Sequence, residues 1–190
     1  YSALAFDLQS DGKIIVHDLV FVANYGVFNH TRRYLKRLNS NGSLDNSFSL
    51  NNTILREECI GGNCSNNSGE YMRIYTIKCL SSGKILLGGY FDTTFGANGK
   101  DICRLNSNGT VDNTFNSGGV SSFGEIYALD IQNDGKILIG GTFSSFNSNL
   151  SNKIARLNSN GSFDNTFNTN NGFNGSGSPS VNFLKILSTN

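Results

Sequence analysis

The hexapeptide Arg-Leu-Asn-Ser-Asn-Gly occurs three times in this chain, at residues 37–42, 104–109 and 156–161. Each copy is followed, after two more residues, by Asp-Asn-Ser-Phe or Asp-Asn-Thr-Phe, at residues 45–48, 112–115 and 164–167. Each is preceded by a Gly-Lys-Ile tripeptide, at residues 12–14, 83–85 and 135–137. Self-similarity of this extent predicts a repeat architecture, in which one small structural unit is used several times.

The spacing of the repeats indicates a propeller rather than a helical solenoid. Gly83 and Gly135 are 52 residues apart, and Gly12 and Gly83 are 71 apart. The longer first interval contains an insertion at residues 51–70 and a longer stretch between residues 15 and 37. Periods of about 40–50 residues are typical of propeller blades, whereas most helical repeats are shorter.

Within one unit the pattern predicts four short strands and almost no helix. In the third copy these strands are residues 126–131, 136–139, 153–157 and 163–167. The second strand is an uninterrupted apolar run, which predicts burial on both faces, and the polar residues 144–152 predict a loop. Asn160-Gly161 predicts a tight two-residue primed turn, because such a turn needs positive φ angles. Four antiparallel strands per repeat describe a propeller blade.

We therefore predict an all-β propeller segment of three four-stranded antiparallel blades plus the first strand of a fourth, residues 181–187. The divisions are blade 1 (residues 1–50), a loop insertion (51–71), blade 2 (72–118), blade 3 (119–170) and the start of blade 4 (171–190). The apolar strands should be the most buried, at residues 13–16, 84–87 and 136–139. Closed propellers have about four to eight blades. The pattern thus favours part of a longer polypeptide, with several copies of the chain in one ring as the alternative.

The repeated segments resemble the delta-60 repeat family of β-propellers. The resemblance rests on Asp-Gly-Lys-Ile-Leu-Ile-Gly-Gly-Thr-Phe at residues 134–143, on Ser-Gly-Lys-Ile-Leu-Leu-Gly-Gly-Tyr-Phe at residues 82–91, and on the three Arg-Leu-Asn-Ser-Asn-Gly segments with their Phe-ending tails. The first unit departs from the pattern, because His17-Asp18 replaces Gly-Gly. The resemblance implies a propeller fold and occurrence in secreted bacterial surface proteins and virion proteins of tailed phages. It implies no catalytic residue.

Four positions carry the same residue in every unit, and the sequence assigns them a structural role. They are the glycines Gly12, Gly83 and Gly135, the arginines Arg37, Arg104 and Arg156, the aspartates Asp45, Asp112 and Asp164, and the phenylalanines Phe48, Phe115 and Phe167. In a hairpin with a strict two-residue turn, each arginine and its aspartate would lie on opposite faces, so no direct pair is predicted. The phenylalanines are predicted to be equivalent buried anchors. The turn beginning at Asn39 has the spacing of a calcium loop, but with Asp45 as its one carboxylate a plain hairpin turn is favoured.

Composition excludes several classes of partner. With 15 basic and 14 acidic residues the chain has no basic excess for nucleic acid, and no apolar run is long enough for membrane insertion. No metal site or cofactor is predicted. Cys59 and Cys64 flank a Gly-Gly pair, so a local disulfide and two loop thiols are both open. Cys79 and Cys103 take the places of apolar residues in the third repeat, which predicts that they are buried.

The sequence predicts no enzyme. His17 and Asp18 are a general-base pair by type, but neighbouring residues on a strand point to opposite faces. The function predicted is a non-enzymatic structural or interaction module of a phage tail, baseplate or fibre protein. The alternative is a segment of a secreted bacterial surface protein that binds glycan or a partner protein. Either location is extracellular or virion, and residues 51–70 are the best candidate for a binding loop. The expected partners are further blades of the same polypeptide or copies of itself, other proteins of a larger assembly and, in the alternative, a cell-surface glycan.

Overall fold

The structure is a computed structural model that describes residues 5–25, 28–50, 54–60, 73–91, 101–116, 118–121, 124–167, 173 and 179–187. Within these residues the chain is all-β and antiparallel, as predicted. The strands are β1 (Phe6–Leu8), β2 (Ile14–Tyr25), β3 (Phe28–Leu38), β4 (Ile54–Ile60), β5 (Arg73–Cys79), β6 (Ile85–Tyr90), β7 (Ile102–Leu105), β8 (Ile126–Ile131), β9 (Ile137–Gly141), β10 (Ser145–Phe146), β11 (Asn149–Leu150) and β12 (Ile154–Leu157). In this described part no helix is long and apolar enough to cross a membrane.

Each sequence repeat forms one antiparallel sheet, and we call residues 1–50, 72–118 and 119–170 units 1, 2 and 3. The sheet orders are β1-β2-β3-β4, β5-β6-β7 and β8-β9-β12, with β10-β11 as a separate ribbon. The prediction of four-stranded blades is not confirmed, because in the described residues the sheets of units 2 and 3 have three strands. The fourth strand of the first sheet, β4, comes from residues 51–71, which the sequence predicts as a loop. The predicted loop at residues 144–152 likewise contains the β10-β11 ribbon.

The predicted fourth strand of each repeat is reduced to a single bridge followed by a turn. In unit 3, Phe163 makes one bridge to Leu157. The Asp164 carboxylate then accepts hydrogen bonds from the Thr166 amide at 3.0 Å and from its hydroxyl at 2.6 Å. An aspartate that bonds the backbone two residues ahead stabilises a turn in competition with a strand. The corresponding bridges are Leu38 to Leu44 in unit 1 and Leu105 to Val111 in unit 2.

The Asn-Gly turn is one residue longer than the predicted primed turn. In unit 1 the Gly42 amide donates to the Asn39 carbonyl at 2.9 Å, and the Asn39 amide donates to the Ser43 carbonyl at 2.8 Å. Gly42 has a φ of 83°, whereas Asn41 does not have a positive φ. This is the three-residue hairpin loop that ends in a left-handed glycine, not the two-residue loop with two positive φ angles. The same bonds recur at residues 106–110 and 158–162.

Residues 181–187 do not form the predicted strand, since the described residues 179–187 contain none. The segment nevertheless packs on unit 3. The Val181 amide donates to the Gly141 carbonyl at 3.1 Å, and a Cβ atom added to Gly140 would lie 2.5 Å from a Val181 methyl carbon. A strand is defined by its ladder, and within the described residues no second strand pairs with this segment.

The hydrophobic core lies between units rather than inside each sheet. In β6, Leu86 belongs to the cluster shared with unit 3, and Ile85 and Leu87 belong to the cluster shared with unit 1. All three are fully buried, whereas Ile14 and Leu138, in the equivalent strands of the outer units, are half-buried. The predicted burial on both faces therefore holds for unit 2, which has a unit on each side within the described part of the chain.

Candidate functional site: a Lys-Asp-Arg cluster repeated between units

Each unit buries one aspartate between an arginine and a lysine, and we call this group the Lys-Asp-Arg cluster. In unit 1, Asp45 Oδ2 lies 2.8 Å from Arg37 Nε and 2.9 Å from Lys13 Nζ. The lysine precedes β2 and the arginine belongs to β3, so one carboxylate joins two strands. The other clusters are Lys84-Asp112-Arg104 and Lys136-Asp164-Arg156. The sequence prediction does not include the lysine among the structural residues, although the lysine recurs in every Gly-Lys-Ile segment and could have been recognised from that recurrence.

The remaining oxygen of each aspartate is also occupied. Asp45 Oδ1 accepts from the Ser47 hydroxyl at 2.6 Å and from the Ser47 amide at 3.0 Å. The Ser47 hydroxyl, followed by Lys13, holds the pKa of Asp45 well below its usual range. Burial raises the pKa of Asp112, but hydrogen bonds from its lysine, threonine and arginine outweigh burial and lower it. The pKa of Asp164 is lowered mainly by the hydroxyl two residues ahead. The carboxylates therefore stay ionised at neutral pH.

The direct arginine–aspartate pair corrects the parity argument from the sequence. With the longer turn, Leu38 faces Leu44 across the hairpin. Asp45 therefore faces Arg37, and its amide donates to the Arg37 carbonyl at 2.9 Å. Because side chains alternate along a strand, one extra residue in the loop moves the aspartate to the face that carries the arginine.

Arg37 and Arg104 also link their units to the next, and all three arginines stack on the recurring phenylalanines. The Arg37 guanidinium carbon lies 4.9 Å from the centre of the Phe48 ring, and the other two pairs are at 4.7 Å. Arg37 Nη1 donates to the Ser107 carbonyl in unit 2, and Arg104 Nη1 donates to the Ser159 carbonyl in unit 3 at 2.7 Å. Arginine suits this position because its planar fork can bind a carboxylate, a carbonyl and an aromatic face at once.

The recurring phenylalanines lie under the hairpin turn of the following unit. A Cβ atom added to Gly109 would come within 2.8 Å of the Phe48 ring, and one added to Gly161 within 2.9 Å of the Phe115 ring. Phe48 and Phe115 are accordingly buried, whereas Phe167 is half-buried. The three rings occupy the same place in the repeat, and their burial differs because no further turn covers Phe167 in the described residues.

Gly12, Gly83 and Gly135 all lie in the first turn of their units, with φ angles near 80°. In the later turn, where the sequence leaves a calcium loop as the lesser alternative, Asn41 Oδ1 accepts from the Ser43 amide at 3.0 Å and from its hydroxyl at 2.7 Å. These oxygens act within the turn. Across the described residues no group of three or more His, Cys, Asp or Glu side chains is placed to hold a metal ion.

A polar cleft of about 520 Å³ opens between the turns of units 1 and 2, beside Lys13 and Arg37. Gln9 lines it and is only 6 % exposed. Its Nε2 donates to the Gly83 carbonyl at 3.3 Å, while its Oε1 is buried without a hydrogen-bond partner. Leu80 takes the position of Gln9 in unit 2. Gln9 Oε1 is therefore a buried acceptor at the wall of the cleft, in a position where the next repeat has the apolar Leu80.

His17 lies between units 1 and 2, in the place that Gly88 takes in the second repeat. Burial, and then the charge of Arg33, lowers the pKa of His17 to about 4, and the ring is 3 % exposed. Asp18 pairs instead with Lys36 at 2.8 Å. The two neighbours therefore form no acid–base pair, and the neutral imidazole fills space between the sheets.

The structure describes the side chains of two of the four cysteines, Cys79 and Cys103. Cys103 lies in the core, where burial raises the pKa of its thiol. Cys79 is half-buried, and burial followed by the charge of Asp7 raises its pKa to about 12. A raised pKa makes a thiol a poor nucleophile. The choice between a Cys59–Cys64 disulfide and two loop thiols lies outside the described side chains, as do all the side chains of the candidate binding loop at residues 51–70.

One comparison with known proteins gives a match. A family model described as a domain of unknown function (DUF5122) beta-propeller matches residues 18–48, 80–115 and 132–167. Each matched segment ends at the recurring phenylalanine of its Lys-Asp-Arg cluster. No curated protein and no solved structure matches the chain.

Proposed function

The matched segments cover 103 of the 190 residues, so the chain belongs to this DUF5122 β-propeller family, and we propose that it is a non-enzymatic interaction module. The observation that carries the proposal is the Lys-Asp-Arg cluster. Its charged groups bind one another within a unit, and Arg37 and Arg104 also bind the next unit. An aspartate that such bonds keep ionised is a poor general acid at neutral pH. The charged residues that recur in each repeat therefore hold the units in place.

We further propose a place for this module in a phage virion, in a tail, baseplate or fibre protein. The support is the resemblance to delta-60 repeats, together with a stiff scaffold whose units are joined by charge-assisted hydrogen bonds. The test uses phage particles purified from the phage whose genome encodes this chain. Mass spectrometry of gradient-purified virions should find peptides of this chain in stoichiometric amounts. Their absence from particles, with recovery from the cell surface or medium, would contradict the virion placement.

The second candidate is a glycan-binding segment of a secreted bacterial surface protein, and the polar cleft between units 1 and 2 favours it. The charges beside the cleft are paired, because Lys13 and Arg37 both bind Asp45. The cleft adds several serine hydroxyls and, at its wall, the Gln9 carbonyl oxygen, which is buried in this structure and has no hydrogen-bond partner. Neutral polyhydroxyl ligands match such a set of acceptors and donors.

A glycan array followed by titration calorimetry with any saccharide that binds tests this second candidate. Gln9→Leu gives the first unit the residue that unit 2 carries at this position, and it should abolish binding without loss of stability. Gln132→Leu, the same change at the equivalent position of unit 3, is the matched control. Binding that survives Gln9→Leu would remove the cleft from consideration.

A further inference from the structure

One position in the first strand of the repeat alternates in charge along the chain. Asp7, Lys78 and Asp130 each lie five residues before the first-turn glycine of their unit. A fourth member follows from the hydrogen bonds. The Cys79 amide, one residue after Lys78, donates to Asp7, and the Ile186 amide donates in the same way to Asp130. Lys185 therefore takes the position of Lys78.

The two aspartates make the same contacts with the unit that follows them. Asp7 Oδ2 accepts from the Cys79 amide at 2.6 Å, and Asp130 Oδ2 accepts from the Ile186 amide at 2.6 Å. Each Oδ1 accepts from the amide of the next residue, Leu8 at 2.9 Å and Ile131 at 3.0 Å. Toward the following unit, the two positions are equivalent.

Toward the preceding unit, the two aspartates differ. Lys78 of unit 2 places its Nζ 2.9 Å from Asp130 Oδ1, so the carboxylate of unit 3 has a cation from the unit before it. Asp7 has no such cation among the described residues. It is half-exposed, whereas Asp130 is buried.

The apolar side chains around Asp7 are uncovered as well. Phe6 is 71 % exposed, and its equivalents Ile77 and Leu129 are each 6 % exposed. The reason is visible in the later units, where Leu129 packs 3.1 Å from a Cβ atom added to Gly88 of the preceding sheet. Leu8, beside Phe6, is 61 % exposed. Within the described residues, the side of unit 1 that faces away from unit 2 has nothing packed on it.

We propose that this face, which exposes Phe6 and Leu8, binds a further unit of the same repeat, and that a lysine of that unit at the position of Lys78 reaches Asp7 as Lys78 reaches Asp130. The occupant presents a glycine to receive Phe6, as Gly88 receives Leu129, and its lysine pairs with Asp7. Aspartate-type and lysine-type units then alternate around the assembly. A closed ring built on this alternation has an even number of units, because an odd number would place two units of one type side by side.

The test joins a second copy of residues 72–123, a lysine-type unit with its own connector, directly ahead of Tyr1. This junction reproduces the spacing of units 2 and 3, because Tyr1 corresponds to Gly124. The matched control joins residues 124–178, an aspartate-type unit. Hydrogen exchange is measured for the amides of Phe6, Asp7 and Leu8. The lysine-type fusion should slow their exchange by about tenfold or more relative to the aspartate-type fusion.

A double-mutant cycle in the lysine-type fusion separates the charge pair from apolar covering. Asp7→Ala and Lys→Ala at the added lysine should be coupled by about tenfold in the unfolding equilibrium constant. Lys78→Ala and Asp130→Ala in the same protein give the internal standard. Equal protection by both fusions, or no coupling where the standard pair shows it, would overturn the proposal. Dimerisation of the unfused chain that Asp7→Ala abolishes would assign the face to a second copy and overturn it too.

Discussion

Phe48 of unit 1 lies under the hairpin turn of unit 2, so closely that a Cβ atom on Gly109 would be 2.8 Å from its ring. The Arg37 guanidinium stacks on the same ring and donates to the Ser107 carbonyl in that turn. The turn is thus held by an aromatic ring and by a charged hydrogen bond at once. This contact, repeated between units 2 and 3, joins neighbouring sheets.

Gly109→Ala should destabilise the protein more than Gly42→Ala. Both glycines have positive φ angles, 92° and 83°, which cost any alanine about 1 kcal/mol. Alanine at position 109 must also displace Phe48, whereas a Cβ at Gly42 meets nothing within 4 Å. Overpacking adds about 1–3 kcal/mol. Urea unfolding of the two variants gives the comparison, and equal losses would mean that the turn of unit 2 does not press on Phe48.

Arg104→Lys should cost more stability than Arg156→Lys. Both arginines pair with their aspartate and stack on their phenylalanine, but Arg104 Nη1 donates to the Ser159 carbonyl of the next unit at 2.7 Å, whereas Arg156 Nη1 lies 3.5 Å from Gln132 Oε1 in its own unit. Lysine keeps the charge and loses the planar fork, so the loss at position 104 includes a shorter hydrogen bond that joins two units, and the difference between the variants should be about 1 kcal/mol. Thermal unfolding of the paired variants measures the difference. A larger loss at position 156 would contradict the role of arginine between units.

Stability should fall as the pH drops from 6.5 to 4 because of His17. Its folded pKa of about 4 lies below the unfolded value of 6.5, so the unfolded state binds more protons in this window. The contribution is complete above pH 6.5 and lost toward pH 4, by about 3 kcal/mol. His17→Gln should flatten this slope, and His30→Gln is the control for the other histidine. A slope that survives His17→Gln would assign the acid sensitivity to other groups.

Ile85→Ala should cost about 2–5 kcal/mol, the range for a cavity in a packed core. Ile85 is fully buried between units 1 and 2, whereas Ile14 holds the same repeat position in unit 1 and is half-buried. Ile14→Ala should therefore cost clearly less. Chemical denaturation of both variants decides the matter, and a loss below about 1 kcal/mol at Ile85 would place β6 at the surface.

Much of the architecture was readable from local sequence. Recurring Gly-Lys-Ile and Asn-Gly segments predict strand–turn–strand units, and the all-β antiparallel fold follows. The prediction of four strands per unit is not confirmed in units 2 and 3, where a local signal works against the fourth strand. Asp164 bonds the backbone and hydroxyl of Thr166, so the residues predicted as a strand make a turn. Hydrogen bonds from the backbone to an aspartate side chain compete with the hydrogen bonds of a sheet, and the apolar pattern of the sequence does not show which of the two forms.

The sequence by itself determined the repeat, its turn glycines and the membership of Arg37, Asp45 and Phe48 in one recurring set, because these are written identically in each copy. Only the tertiary structure decided how the set is used. One extra loop residue put Asp45 on the face of Arg37, since side chains alternate along strands. The neighbouring unit decided that Phe48 is buried and Phe167 half-buried, because burial depends on what packs across the gap between sheets and not on the residue's own segment.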